Sequence, residues 1–236
     1  MAANEDIPGV RRRYRICPNE PDETWVHKYE AVRPGPTTMI VAGLHGDEES
    51  GWRAADKMID WRVETGRIVV IPRASARAVE KRVRGLDSDP NRDYPPTGEC
   101  YTEIAREIWG EVERYDPDLL LSLHSSYGIY KSGDGGVGQA IFPTQHGDAR
   151  EMSQKTCEAL NRGYGLDGKW RYRLGNTLSE RHTKLMHRAG AQLNTRGVIA
   201  ETTEKWPSLE DQMTWQRFTV RHLMQQIGHR KGLYSE

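Results

Sequence analysis

Three residues with metal-binding side chains stand just beyond the ends of apolar runs. His45 directly follows the run TTMIVAGL, and His124 follows DLLLSL. Glu48 comes three residues after His45, so the first turn of a following helix would point its carboxylate back toward the strand end. Two imidazoles and one carboxylate make a three-ligand zinc site that leaves a fourth position for water. The pattern therefore predicts a metal site at His45, Glu48 and His124.

A fourth residue, Glu201, ends the apolar run GVIA in the same way. A carboxylate beside a metal-activated water can accept its proton and later pass it to a leaving amine. Glu204 is an alternative for this role, but Glu201 is preferred because it directly ends the strand. In the alternative interpretation the two histidines only cap strands and Glu48 is an acid at a helix start. That interpretation leaves His124, between LLLSL and SSYG, without a packing reason.

The elements expected to position these residues alternate between strands and helices. Strands are predicted over Thr37–Leu44, Arg67–Pro72, Asp118–His124, the short run QAIFP and Gly197–Glu201, and helices over DEESGWRAADKMIDW, Tyr101–Tyr115, 147–162, 179–190 and 208–228. A long arginine-rich loop runs up to Pro96. This alternation predicts an α/β fold with a mostly parallel, mixed central sheet covered by helices on both faces, and ligands beyond the carboxyl ends of its strands.

The chain is expected to be a single catalytic domain over residues 1–236. Two short strands around the turn CPNEPDE predict that residues 1–36 form a hairpin-like extension of the sheet. No internal repeat or linker divides the sequence.

Composition argues against several classes of partner. Lys and Arg together number 34, as do Asp and Glu, and this zero net charge argues against a protein that coats nucleic acid. The longest purely aliphatic stretch is Leu119–Leu121, which predicts no membrane span. The three cysteines are far apart and the N-terminal residues do not resemble a secretory signal, so we expect a reduced, cytoplasmic protein.

Four segments in order resemble the succinylglutamate desuccinylase/aspartoacylase family, which is related to the zinc carboxypeptidases. VAGLHGDEESG resembles the family's Gly-x-His-Gly-Asn-Glu segment, and IPRASARAVEKRVRGLDSDPNRDYP resembles the block that ends in Asp-Leu-Asn-Arg-x-Phe. LLLSLHSS resembles the Asp-Leu-His-Ser block, and VIAETTE resembles the block with the catalytic glutamate. The resemblance spans residues 37 to 204 and implies a zinc-carboxypeptidase-like three-layer fold.

The resemblance also implies roles for individual residues. The zinc ligands would be His45, Glu48 and His124, with one zinc ion per chain. Glu201 would be the general base and acid. Asn91 and Arg92 would hold a carboxylate of a small-molecule substrate.

A further arginine, Arg77, would polarise the scissile carbonyl and stabilise the oxyanion. Arg73 competes for this role, and counting back from Asn91 and Arg92 without gaps favours Arg77. This segment departs from the family pattern, because Ser75-Ala76 replaces Asn-Pro and Pro90 replaces Leu. The short stretch after Glu201 also predicts that the C-terminal β-domain of larger family members is absent.

The function expected from these features is zinc-dependent deacylation of an N-acyl amino acid. The main competing hypothesis is a zinc metallocarboxypeptidase that acts on peptide C-termini, and the order of the HGDE and DPNR motifs favours the deacylase. Two further hypotheses are a non-catalytic protein that binds nucleic acid through RRR and KRVR, and a metal-free relative that serves as a binding scaffold. The set of His and Glu residues argues against the metal-free scaffold, although such a site also accepts divalent ions besides zinc.

Overall fold

The structure, a computed structural model, describes residues 7–133, 135–229 and 232–233. Ten strands lie in these ranges: β1 (Gly9–Ile16), β2 (Thr24–Ala31), β3 (Arg33–Ala42), β4 (Arg62–Val63), β5 (Thr65–Ile71), β6 (Leu119–Ser126), β7 (Ala140–Pro143), β8 (Arg173–Leu174), β9 (Arg196–Thr203) and β10 (Gly232–Leu233). Eight of them form one sheet in the order β1-β2-β5-β3-β6-β9-β7-β8, and β4 pairs with β10.

The centre of the large sheet is parallel. Strands β5, β3, β6 and β9 run in the same direction, whereas β2 joins β5 and β7 joins β9 in antiparallel fashion. Apolar runs such as Met39–Ala42 and Leu119–Leu121 are buried along their whole length, as expected for strands covered on both faces. The predicted mixed, mostly parallel sheet is therefore confirmed.

Six helices accompany the strands: α1 (Glu49–Met58), α2 (Ala76–Lys81), α3 (Glu103–Tyr115), α4 (Ala149–Tyr164), α5 (Leu185–Leu193) and α6 (Leu209–Gln226). Helices α1, α4 and α6 pack on one face of the sheet, where Met58, Leu160 and Leu223 join one buried cluster. Helices α3 and α5 pack on the other face, where Ile108 and Leu185 join a second cluster. Alternate residues of β9 enter the two clusters, as strand geometry requires.

The first two strands form an antiparallel pair at one edge of the sheet. Strands β1 and β2 pair antiparallel from Gly9 opposite Ala31 to Ile16 opposite Thr24, and β2 then joins β5. Residues 1–6 of this predicted extension lie outside the described residues. Within the described ranges, no helix combines the length and apolarity needed to cross a membrane.

Two stretches differ from the sequence prediction. The helix predicted over 179–190 begins only at Leu185, and the imidazole of His187 donates to the carbonyl of Ser179 upstream of the helix. The arginine-rich loop contains the six-residue helix α2, of which Ala78 and Val79 are buried. Such a short helix shows too little apolar periodicity to be recognised in the sequence.

Candidate functional site

The three predicted metal ligands meet at the carboxyl end of the parallel strands. His45 lies three residues beyond β3, His124 lies near the end of β6, and Glu48 is the N-cap residue of α1. A glycine lets α1 approach β6 closely, because a Cβ atom on Gly51 would lie 2.7 Å from the carbonyl oxygen of Leu123. This close packing brings the start of α1 beside His124.

The carboxylate of Glu48 lies between the two imidazoles. Its Oε1 is 2.7 Å from Nδ1 of His45, and its Oε2 is 2.7 Å from Nδ1 of His124 and accepts the Ser125 backbone N–H at 3.2 Å. All three side chains are buried, with 3%, 8% and 3% exposure for His45, Glu48 and His124. Their ligand atoms lie within 4.8 Å of one another, and we call these three residues the ligand cluster.

The outer nitrogens of both imidazoles have polar partners. Nε2 of His45 lies 2.7 Å from Oδ1 of Asp89, and Nε2 of His124 lies 2.9 Å from Oγ of Ser122. When these Nε2 atoms carry the protons, both Nδ1 atoms are acceptors that face carboxylate oxygens. The 2.7 Å separations are hydrogen-bond lengths, with a proton between each nitrogen and its carboxylate oxygen, and a divalent metal held by the three ligand atoms would replace these protons. The donor set and its outer partners therefore fit a divalent metal such as zinc.

The electrostatics of the ligand cluster favour an anionic carboxylate. Burial raises the pKa of Glu48, but the neighbouring His124 and His45 outweigh burial and hold this pKa well below its ordinary value. Burial lowers the pKa of His45, but Glu48 and Asp89 outweigh it, so the pKa of His45 is raised. The cluster thus attracts positive charge to the point where its three ligand atoms converge.

Glu201 lies on β9, the strand next to β6, and is paired in register with His124 of the ligand cluster. Its Oε2 atom is buried and makes no hydrogen bond to any group in the described ranges. Burial raises the pKa of Glu201 to about 8; His124 lowers this pKa and Glu48 raises it. A buried carboxyl group with a raised pKa and a free oxygen is suited to accept and return a proton.

The alternative carboxylate, Glu204, is placed differently. It is exposed beyond the end of β9, and its Oε1 accepts a hydrogen bond from Oγ of Ser125 at 2.6 Å. Burial and the nearby acids Glu48 and Asp47 raise its pKa. Both glutamates line the same cavity, but only Glu201 lies in the strand position opposite His124.

The cavity above the strand ends has a volume of about 360 Å³. The ligand cluster and Glu201 form its floor, and three cations line it: Arg84, Arg92 and Lys184, which we call the cationic wall. Arg84 lies close to the cluster, with Nη1 3.1 Å from Oε1 of Glu48 and Nη2 3.3 Å from Oδ2 of Asp89. Five acids line the same cavity, so the three cations offer local partners for an anionic or polarised substrate group rather than a net positive charge: Asp47, Glu48, Asp89, Glu201 and Glu204.

The predicted carboxylate-binding pair lines the cavity. Asn91 is 7% exposed, and its Oδ1 accepts the backbone N–H of Leu185 at 3.4 Å, which leaves its amide N–H groups as donors. Arg92 is more exposed, and its Nε lies 3.4 Å from Oδ2 of Asp89. Asp89 thus contacts both the ligand cluster and the cationic wall, a position that the sequence analysis missed. Its place next to Pro90 and Asn91 in the DPNR motif was the available signal.

The position of Arg77 differs from the prediction. Arg77 lies in α2, does not line the cavity, and its Nη1 is 3.9 Å from Oδ1 of Asp22. Arg73, the alternative, pairs with Asp56 at 2.8 Å and is also outside the cavity. Helix α2 directs Arg77 toward the β1–β2 turn, whereas Arg84, farther along the same loop, lines the cavity. Arg84 stands in the same loop as Asp89, and that proximity was the missed signal.

Residues 34–122 match the family model described as succinylglutamate desuccinylase/aspartoacylase catalytic domain. The matched segment contains His45, Glu48, Asn91 and Arg92, and His124 lies two residues beyond it. The family resemblance predicted from the motifs is thereby confirmed for this segment. No curated protein sequence matches the chain significantly.

Two solved structures illustrate the fold relationship. The mDAP-bound form of Helicobacter pylori Csd4, a D,L-carboxypeptidase, is 20% identical with a TM-score of 0.74, over 85% of this chain and 52% of that chain. The succinylglutamate desuccinylase/aspartoacylase from Rhodobacter sphaeroides is 16% identical with a TM-score of 0.60, over 96% of this chain and 67% of that chain. The chain therefore spans about half the length of Csd4. These similarities confirm the predicted zinc-carboxypeptidase-like fold.

Proposed function

We propose that this protein is a zinc-dependent hydrolase of amide bonds that deacylates an N-acyl amino acid. The observation that carries the proposal is that the buried ligand cluster and the unpartnered carboxylate of Glu201 face one cavity. A metal site alone is compatible with a structural ion. The addition of a buried acid/base group and a cationic wall supports hydrolysis instead.

His45, Glu48 and His124 would hold the metal. Bound zinc supplies Lewis-acid chemistry, because it acidifies a water molecule and polarises a carbonyl oxygen. Asp89 and Ser122 hold the orientations of the two imidazoles through contacts with their Nε2 atoms. The three ligands come from two strand ends and one helix start, so the sheet holds them in place before any substrate binds.

Glu201 would move the proton. Its free Oε2 accepts a proton from the attacking water, whose oxygen bonds to the carbonyl carbon of the substrate. The same carboxyl group then donates that proton to the amide nitrogen as the carbon–nitrogen bond breaks, which yields a carboxylic acid and an amine. Burial raises the pKa of Glu201 and favours its protonated form, while a cation held by the ligand cluster would favour the carboxylate that accepts the proton.

Arg84, rather than Arg77, would stabilise the oxyanion. It is the arginine of the cavity that lies nearest to the ligand cluster, 3.1 Å from Glu48. Its contacts with Glu48 and Asp89 fix the guanidinium before the reaction starts, which is how a charge stabilises a developing oxyanion efficiently. The role that the sequence analysis gave to Arg77 is therefore proposed for Arg84, which lines the cavity.

Asn91 and Arg92 would bind a carboxylate of the substrate. A guanidinium fork binds a carboxylate in bidentate fashion, and the amide N–H of Asn91 adds a neutral donor. Lys184 adds a third cation to the cavity. In a deacylase this carboxylate belongs to the N-acyl amino acid.

A carboxypeptidase is the second candidate, in which the bound carboxylate is the C-terminus of a peptide. The likeness to Csd4, described as a D,L-carboxypeptidase, supports this candidate, whereas the match to the deacylase family model supports the first. Both candidates use the same metal, base and carboxylate-binding residues. They differ in the group on the carbonyl side of the scissile bond, which is a simple acyl group in the first candidate and a peptide in the second.

A substrate panel separates the two candidates. Purified protein reconstituted with zinc is tested on N-acetyl and N-succinyl amino acids and on short peptides with free C-termini, with Glu201→Gln as the control for contaminating hydrolases. We expect hydrolysis of N-acyl amino acids at a higher kcat/KM than of peptides. A preference for peptides would favour the carboxypeptidase, and hydrolysis of neither class by zinc-reconstituted protein would contradict the proposed function.

A further inference from the structure

A buried arginine beside the cavity has no carboxylate partner in the described part of the chain. Arg188 lies in α5 and is only 5% exposed. Burying an unpaired charge is costly, so such a residue must receive compensation from other polar groups. The groups that compensate it indicate what Arg188 holds in place.

The guanidinium of Arg188 binds two backbone carbonyls of one loop. Its Nη1 donates to the carbonyl of Pro95 at 2.6 Å and to that of Gly98 at 3.0 Å. The guanidinium carbon lies 4.5 Å from the ring centroid of Trp109 in α3, within the range of a cation–π contact. Arg188 therefore joins α5, α3 and the loop that follows Arg92.

Two further contacts attach the same loop to α5. Gln192 donates from Nε2 to the carbonyl of Pro96 at 2.7 Å. At the start of the helix, the backbone N–H of Leu185 donates to Oδ1 of Asn91 at 3.4 Å. The segment from Asn91 to Gly98 is thus attached to α5 at both of its ends, and we call it the clamped segment.

The clamped segment carries both residues proposed to bind the substrate carboxylate. Asn91 and Arg92 line the cavity from its first two positions. The metal ligands instead lie just beyond β3, at the N-cap of α1 and on β6, and none of the contacts described for Arg188 reaches them. A change at Arg188 would therefore displace the carboxylate-binding pair and leave the metal site in place.

We propose that Arg188 is a positioning residue that fixes Asn91 and Arg92 at the cavity by binding the Pro95 and Gly98 carbonyls. This inference rests on the proposed function only for its consequence in binding, because the clamp itself is a structural claim. Charge alone is not enough for this role. Both carbonyl bonds come from Nη1, but the planar group that lies over the Trp109 ring requires a guanidinium, which a lysine ammonium does not reproduce.

The test uses Arg188→Lys, with Arg217→Lys as the matched control. Arg217 lies on α6 with a side chain that is 13% exposed and pairs with Glu210, on the opposite face of the sheet. We expect Arg188→Lys to raise KM for an N-acyl amino acid about tenfold. KM for the corresponding amide, kcat and zinc content should stay within about twofold, as for the control.

A second readout does not depend on activity. Hydrogen exchange by mass spectrometry reports the N–H of Leu185, bonded to Asn91, and the N–H of Tyr101, bonded to the carbonyl of Asp93. We expect both to exchange faster in Arg188→Lys and unchanged in Arg217→Lys. If Arg188→Lys does not fold, Gln192→Ala removes the neighbouring exposed contact and should shift both readouts in the same direction by a smaller amount.

The outcomes separate the clamp from the proposed function. Unchanged exchange in folded Arg188→Lys would overturn the inference, as would equal rises in KM for the acid and the amide. If the wild-type protein hydrolyses no member of the panel, the proposed function fails and the exchange result alone decides the clamp. Faster exchange with unchanged zinc content would then still support it.

Discussion

The ligand cluster and the cationic wall line one cavity but are built differently. The cluster is nearly inaccessible to solvent, whereas the side chains of Arg84 and Arg92 are 55% and 63% exposed. The cluster stands on strand ends and a helix start. The wall stands on loops and is held by Asp89 and by α5.

This difference separates two requirements of hydrolysis. The groups that act on the scissile bond need fixed geometry and low dielectric, which the parallel sheet supplies at the ends of its strands. The groups that select the substrate stay near solvent, where loops can change without disturbing the metal site. Mutations should therefore affect different parameters: kcat or metal affinity for the cluster side and for Arg84, which contacts Glu48, and KM for Arg92.

The largest effect on the cluster side is expected for Glu201→Gln. The amide keeps the shape of the side chain but cannot accept a proton, so kcat should fall by about 10²–10⁴-fold while zinc stays bound. Steady-state kinetics and metal analysis measure the two effects. Glu204→Gln is the control, and loss of activity in that variant instead would show that the strand-end argument selected the wrong carboxylate.

The next effect distinguishes two arginines of one loop. Arg84→Ala removes the guanidinium beside Glu48, and loss of an oxyanion-stabilising donor should lower kcat by about 10²–10³-fold. Arg77→Ala removes a charge that faces Asp22 outside the cavity and should change kcat by less than about twofold. The reverse ranking in kinetic assays would restore the assignment made from the sequence.

Asp89→Asn tests the residue that connects the two sides. Asp89 contacts His45 at 2.7 Å and also Arg84 and Arg92. Loss of such an outer partner should weaken zinc affinity by about 10–100-fold, measured by competition with a chromophoric chelator. Asp87→Asn, an exposed acid of the same loop, is the control. Equal zinc affinities in the two variants would refute the connection.

The smallest effect is expected on the exposed wall. Arg92→Ala should raise KM about tenfold for substrates with a free carboxylate and little for their amides, since an exposed guanidinium contributes less than a desolvated one. Paired kinetics on each acid and its amide measure this. If the wild-type protein treats acid and amide alike, Arg92 does not bind a carboxylate.

The contrast between strand ends and loops also explains which parts of the site could be predicted from the sequence. His45, His124 and Glu201 follow apolar runs, and parallel strands bring their carboxyl ends to one edge, so their meeting was predictable. The position of Arg77 was not, because it depends on the direction in which α2 leaves the sheet. A helix with two buried residues leaves no periodic signal from which that direction could be predicted.

The position of Lys184 shows a second limit of prediction from the sequence. Lys184 is the N-cap residue of α5 and lines the cavity, and the imidazole of His187 bonds to the carbonyl of Ser179 upstream of the helix. Periodicity placed these residues inside a helix, because it cannot register a side chain that bonds back to an upstream carbonyl. Asp89 was missed for a similar reason, since its role depends on contacts with residues from distant parts of the chain.

Zinc binding to His124→Ala tests the central claim most directly. Isothermal titration of zinc into metal-free wild-type protein should show one site per chain, and the variant should lose that site while circular dichroism shows an unchanged fold. His146→Ala, which removes a histidine that pairs with Glu180 away from the cavity, should bind zinc like the wild type. Full zinc occupancy in folded His124→Ala would contradict the ligand cluster, and with it the hydrolytic centre proposed here.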